Sequence, residues 1–209
     1  MNEVMEVSSA HNSKVATQVV EVGALALIEL LEGASLHVCK DKSLSVITNV
    51  LLNAEGDGYL TATATDRYRL GEGKVEVEYG RLAPSLVQLG DAKRIIDLLK
   101  SYKLAKVTLS RIEGSDILTV GVAGQALSVL LMLGDFPPSE HLFAAIEEAP
   151  VPVEGVAFNP LFFADYAKIA GKNNPVKVYF GGNGKPMRIR ITSTLVEWRL
   201  LLMPMRYQD

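Results

Sequence analysis

The chain has 209 residues, 48% of them hydrophobic and 22% charged, and a formal net charge of −3. These proportions exclude a disordered chain, a collagen-like chain and a coiled coil, and the length allows one large domain or two small ones with a sizeable core. A single cysteine, Cys39, excludes an intrachain disulfide and CxxC metal spacing, and is expected to be a buried thiol.

Residues 1–14 are polar, carry Glu3 and Glu6 where a secretory signal needs an apolar stretch, and read as a flexible tail. No run reaches 18 apolar residues, so nothing is expected to span a membrane, and a reducing cytoplasm fits best. VATQVVEV (15–22) reads as a strand, and apolar residues at 24, 27, 28, 31, 34 and 38 predict a helix over 23–38. Strands follow at 46–53 and 59–65, joined by the turn AEGDG, with a third, KVEVEY, at 74–79. The order then restarts. A strand at 82–89 leads to a helix opened by Gly90-Asp91, with Asp91 as N-cap and Ile95, Ile96, Leu98, Leu99 and Tyr102 as its apolar face. Strands at 106–112, 117–122 and 127–132 come next, and GDFPPSEH reads as a linker because adjacent prolines cannot continue a sheet. In a third round, a strand at 153–158 precedes a helix with Asn159 as N-cap, Pro160 at its first position and Gly171 as its stop. Strands at 176–180, 187–192 and 197–203 close the chain.

The fold class is therefore α+β and sheet-dominated, with three β-α-β-β-β units whose helices start at 23, 90 and 159. Each unit has one apolar helix face and needs a neighbour to bury it. The boundaries are a tail over 1–14, a domain of two units over 15–145, and a half-domain over 146–209.

The three histidines fall in the tail (His11), on a helix (His37) and in the linker (His141), with no ligand spacing. GGNGKP has Pro186 where a P-loop needs Ser or Thr and is read as a turn. Glu55, Asp57, Glu147 and Glu148 lie in turns or loops, and Glu29 and Glu32 on the polar side of the first helix, all as ordinary solvated charge. No enzyme, cofactor or metal is expected. The basic residues are more informative. Lys93, Arg94, Lys100, Lys103 and Lys106 face only Asp91 and Asp97 in their stretch, with Lys93 and Lys100 opposite the apolar stripe, and Lys168 and Lys172 mark the third helix. Solubilising charge and a cationic binding face both remain open on spacing alone.

NVLLNAEGDGYLTATATDRYRL (49–70), GDFPPSEHLF (134–143), VAFNPLFFADYAKIAG (156–171) and LLMPMR (201–206) occur in that order. Together they resemble the bacterial β sliding clamp, the processivity ring of the replicative DNA polymerase. The first resembles its middle domain with a TD-x-x-RL strand end, the second its FP linker, the third its last helix and the fourth its MPMR-type ending.

The resemblance implies a ring of β-α-β-β-β half-units, with helices around duplex DNA and antiparallel sheets outside. It implies loose phosphate contacts by Lys93, Arg94, Lys100, Lys103, Lys168 and Lys172. It also implies a peptide pocket for the DNA polymerase and clamp loader, at Ile47, Thr65, Tyr68, Arg69, Leu70, Pro137, Leu142, Met203, Pro204, Met205 and Arg206. Tyr68 and Arg67 replace a usual His and Gly, and Tyr207 follows where the family ends in Leu. The setting implied is a bacterial cytoplasm, for a bacterial or a viral protein. The chain has three half-units where the family has six, resembling the middle domain joined to the last half of the third. About twelve half-units would then need four chains, a homo-oligomer with a tetramer favoured over a trimer, with third units completing one another and first units joining edge to edge. The alternative is a clamp-like adaptor or decoy that binds the peptides without encircling DNA.

Overall fold

The computed structural model describes residues 16–144 and 156–206, apart from 173, 183 and 194. In chain order the elements are β1 (Thr17–Gly23), α1 (Ala24–Ser35), a 3-10 turn (Ser45–Thr48), β2 (Asn49–Ala54), β3 (Tyr59–Thr65), β4 (Arg69–Glu76), β5 (Tyr79–Gly80) and β6 (Leu82–Gln88). There follow α2 (Leu89–Leu99), β7 (Lys106–Ile112), β8 (Ile117–Val122), β9 (Gln125–Leu130), α3 (Glu140–Ala144), α4 (Pro160–Ala170), β10 (Val176–Phe180), β11 (Met187–Thr192) and β12 (Glu197–Leu202). Thus α1 is followed by five strands, of which β6 leads into α2, and α2 and α4 are each followed by three.

Every pairing is antiparallel, in a five-stranded sheet β5-β1-β7-β8-β9 and a seven-stranded sheet β10-β11-β12-β4-β3-β2-β6. The opening strands are exchanged. β1 lies along β7, from Thr17 opposite Ile112 to Gly23 opposite Lys106, and β6 lies along β2, with Asn49 opposite Gln88. The last three strands join the first unit through β12 and β4, from Glu197 opposite Lys74 to Leu202 opposite Arg69. Leu27, Leu30 and Leu31 of α1, Ile95 and Leu99 of α2, and Tyr166 of α4 are fully buried in one core that extends over both sheets.

Several boundaries differ from the sequence expectation, each for a local reason. Residues 45–48 form a 3-10 turn rather than strand, because the Asn49 side-chain Nδ2 donates to the Ser45 and Val46 carbonyls at 2.6 and 3.0 Å and the Thr48 hydroxyl to the Ser45 carbonyl at 2.7 Å. The strand expected at 74–79 begins earlier, at Arg69, with Gly71 and Gly73 inside it. α2 begins at Leu89 with Gln88 as N-cap, so Asp91 is not the cap but a first-turn residue paired to Arg94 at 2.8 Å. The linker contains the short helix α3, which carries His141, while His37 lies beyond the end of α1, not on it. The strand expected at 153–158 is represented among the described residues only by Ala157, in a lone bridge to Met205. Asn159 caps α4 as expected, its side chain accepting from the Leu161 amide at 3.0 Å, and Gly171 ends the helix at φ 68°. Cys39 is buried. His11, Glu147, Glu148 and Tyr207 lie outside the described residues.

The glycines of α1 and β4 explain how the first and third units approach. A Cβ on Gly33 would stand 2.3 Å from Cζ2 of Trp198, and one on Gly73 2.7 Å from Cη2 of the same indole. Trp198, on β12, is thus packed on bare backbone of α1 and β4. Gly33→Ala should therefore lower stability by about 1–3 kcal/mol through overpacking, although Ala in an exposed helix interior gains about 1 kcal/mol over Gly. Urea denaturation followed by Trp198 fluorescence measures it, and a stability gain would contradict the packing.

Candidate functional site

The turn Thr65–Arg69 sets the site. The Asp66 carboxylate accepts from the Tyr68 and Arg69 amides at 3.0 and 2.8 Å, the Thr65 hydroxyl donates to the Arg69 carbonyl at 2.6 Å, and Arg67 takes φ 77°. That geometry sends Tyr68 outward, 64% exposed, and Arg69 inward, 7% exposed. The Arg69 guanidinium reaches Asp66 at 2.9 Å, Asp165 of α4 at 2.8 Å and the Leu36 carbonyl at 2.8 Å, and lies 4.1 Å from the Phe162 ring centroid. Arg69 is therefore a tie between α1, β4 and α4.

On the other face of the sheet Leu70 and Leu201, which stand opposite each other, pack with Phe143 of α3. Arg199 fastens α3 there: its guanidinium lies 4.3 Å from the Phe143 ring centroid and binds Glu72 at 2.7 Å and Glu140. The ladder continues beyond β12, where the Met203 amide donates to the Tyr68 carbonyl at 2.9 Å and the Met205 amide to Ala157 at 2.8 Å. By alternation Tyr68 and Met203 share the outer face with Leu70 and Leu201. The result is an apolar strip in which Tyr68, Met203, Met205 and Leu142 are all exposed around buried Leu70. Of the remaining expected residues, Pro204 and Thr65 are half-buried, Pro137 and Arg206 exposed, and Ile47 is buried in the 3-10 turn.

The cationic residues lie on the helix side. α1 packs between α2 and α4. Lys93 and Arg94 are exposed on α2, and Lys100 is its C-cap, so Lys100 and Lys103 sit past the helical residues. Arg94 is held by Asp91, Lys100 lies 3.3 Å from Asp97 and 3.8 Å from Glu32 of α1, and Lys168 lies 2.7 Å from Asp165. Lys103 and Lys172 are exposed in turns. Glu29 is half-buried and accepts from the Ser193 hydroxyl at 3.3 Å, so it is not simple solvated charge.

Asp165, Phe162, His37, Phe143 and Leu201 belong to this junction and were not singled out from sequence as parts of it. Asp165 is 96 residues from Arg69, and only its i,i+3 spacing to Lys168 marks it locally. His37 is fully buried and its Nδ1 lies 3.1 Å from the Gly33 carbonyl, which can only accept, so Nδ1 carries the proton. Its ring stacks on Tyr166 with centroids 6.0 Å apart. His37 Nε2 and the Tyr166 hydroxyl are both buried without a hydrogen-bond partner among the described residues. Burial, aided by the Arg69 charge, lowers the His37 pKa to about 4, and burial also raises that of the Tyr166 phenol. Burial would raise the Asp165 carboxyl as well, but its bonds to Lys168 and Arg69 outweigh this and hold it low.

No family model matches the chain, and no curated protein matches it. Solved structures do. The DNA polymerase III beta subunit of Thermotoga maritima superposes with a TM-score of 0.75 at 17% identity, over 99% of this chain and 69% of that one. A putative DNA polymerase III beta subunit from Eubacterium rectale gives 0.74 at 11%, over 99% and 68%. The Pseudomonas aeruginosa sliding clamp bound to griselimycin gives 0.74 at 15%, over 98% and 68%. The chain thus has the fold of the bacterial β sliding clamps, as the motif resemblance implied, and spans about two thirds of the length of those structures.

The buried imidazole has a pH signature. Its folded pKa, about 4, is below the unfolded value of 6.5, so the unfolded chain binds the proton more readily. The His37 contribution is complete above pH about 6.5 and lost as the pH falls toward 4, up to about 3 kcal/mol. Urea midpoints at pH 7 and pH 5 should differ in wild type and much less in His37→Gln, and equal pH slopes would contradict this.

Proposed function

We propose that the chain is a DNA sliding clamp, a homo-oligomeric ring that encircles duplex DNA and tethers a DNA polymerase and other replication proteins by short peptides. The observation that carries this reading is the β12–β4 junction, which joins the third unit to the first in one sheet of the clamp fold, with α1, α2 and α4 packed side by side. Lys93, Arg94, Lys100, Lys103, Lys168 and Lys172 then present cationic groups to DNA phosphates, without base readout, as sliding requires. Glu29 and Glu32 on the central helix keep that contact weak along α1. Four chains supply about twelve units. The domain assignment is two units over 15–145 and a half-domain over 146–209. The reaction chemistry is none: the chain acts by topology and docking, in the bacterial cytoplasm.

The outer strip of Tyr68, Leu70, Leu142, Met203, Pro204 and Met205 is the peptide site. Its methionines suit a groove that must accept several partners. Arg69 supports it from beneath rather than lining it. Burying two or three large side chains gives about 1.5–3 kcal/mol each before ordering costs, which corresponds to micromolar binding.

Two measurements test the reading. Lys93→Glu with Lys100→Glu should weaken retention on nicked circular DNA and flatten the salt dependence by about 0.9 per lost phosphate contact, with the melting temperature nearly unchanged because both side chains point away from the core. Retention with an unchanged salt slope would make these lysines solubilising charge, and wild type that is never retained would favour the adaptor. Separately, Met205→Asp should weaken a clamp-binding peptide by about tenfold or more in a fluorescence titration, and equal affinities would remove the groove.

A further inference from the structure

Among the described residues, β9 is the long edge strand left without protection. At the other end of its sheet β5 has two residues. In the seven-stranded sheet, edge strand β6 contains Pro84 and edge strand β10 contains Lys177. β9, by contrast, reads QALSVL, without proline, charge or register break, and pairs with β8 alone among the described residues. Natural proteins guard such an edge or use it. Leu130 on this edge is 62% exposed, and Ile117, opposite it on β8, is 49% exposed.

The chain itself shows what a strand in this position pairs with. β4, β9 and β12 are each the third strand after a helix, and β4 and β12 pair antiparallel with each other over six residues. We infer that β9 pairs antiparallel with β9 of a second copy, extending the five-stranded sheet across a two-fold axis. This deepens the clamp reading, on which it rests for the need of a closed assembly. It also moves the interface from the first units, as the sequence suggested, to the second, because β4 of the first unit is already taken by β12.

The register follows from alternation. The Leu131 amide donates to the Asp116 carbonyl at 2.7 Å, so Val129 and Leu127 turn their backbone groups toward β8, and Ala126, Ser128 and Leu130 turn theirs outward. A two-fold axis normal to the sheet keeps both cores on one side only if a residue meets its own equivalent. An axis at Ser128 uses all three outward residues. Ser128 meets Ser128, Ala126 meets Leu130 of the second copy, and about six backbone hydrogen bonds form. Leu130 then covers Ala126 of the second copy, with Ile117 beside it, and the Ser128 side chain stays clear of the ladder in its 2.9 Å hydrogen bond to Thr119.

The test uses the whole chain. Ser128→Pro removes an outward amide and no β8 bond, so it should halve the mass found by light scattering after size exclusion while keeping the wild-type melt. Ser128→Cys should give a covalent dimer with a short bis-maleimide. Thr119→Cys should not, since three strand spacings put its equivalents about 14 Å apart, and wild type, with Cys39 buried, is the blank. An unchanged mass for Ser128→Pro with no Ser128→Cys dimer overturns the pairing, and if wild type is still an oligomer retained on DNA the clamp reading stands. A mass that halves in a protein never retained on DNA upholds the pairing and overturns the clamp. A wild type monomeric at micromolar concentration overturns both.

Discussion

The guanidinium of Arg69 connects three parts of the chain that lie far apart in sequence. It donates to the Leu36 carbonyl at the end of α1, the Asp66 carboxylate of its own turn and the Asp165 carboxylate of α4. A guanidinium has five donors in a planar fork, and this arrangement engages both terminal nitrogens and Nε. The desolvation of so buried a charge is offset only because each partner is in place, so loss of one leaves the others uncompensated at about 3–5 kcal/mol. The outward pose of Tyr68, the register of β4 against β12 and the seat of α4 all depend on Arg69 turning inward.

Around that tie the packing is close because side chains are missing where they would obstruct. Gly71 lies against the His37 ring and Gly73 against Leu30 and Trp198. Trp198 of β12 is therefore seated on bare backbone of α1 and β4, and beside it Phe163 of α4 stacks on Phe158 with centroids 4.3 Å apart. The apolar face of the third helix, which the sequence left for a neighbour to bury, is met within the chain. Tyr166 is buried against His37 within the chain, and Phe162 lies under Arg69.

Period-two and period-3.6 patterning made most elements legible, because one-sided burial leaves that trace in sequence. β10 and β11 match to the residue, and α4 is announced by its Asn-Pro start and Gly stop. What escaped depends on distant partners. Thr63 looks solvent-facing in a strict alternation, yet it is only 4% exposed. Gly71 and Gly73 read as a break, but they are strand residues beneath aromatics. Tyr68, Met203 and Met205 were found through the motif resemblance, while Asp165, His37 and Phe143 were not placed with them, since no local spacing links a helix residue to an arginine 96 positions away. The exchanged opening strands were likewise invisible, because a strand's own pattern does not say which sheet it enters.

That exchange governs how the molecule is made. β1 leaves the tail first, yet its partner β7 begins some eighty residues later, and Thr17 cannot meet Ile112 until both helices and five intervening strands have been synthesised. Neither of the first two units completes a sheet from its own strands, so neither can close its sheet alone. The first hairpins form early from nearby contacts, but closure must wait for a long loop to be ordered, which slows folding and prolongs the exposure of strand edges. Emerging from the ribosome, this chain completes its five-stranded sheet late, whereas the edge of β4 on which the last three strands grow is in place once β2, β3 and β4 have paired.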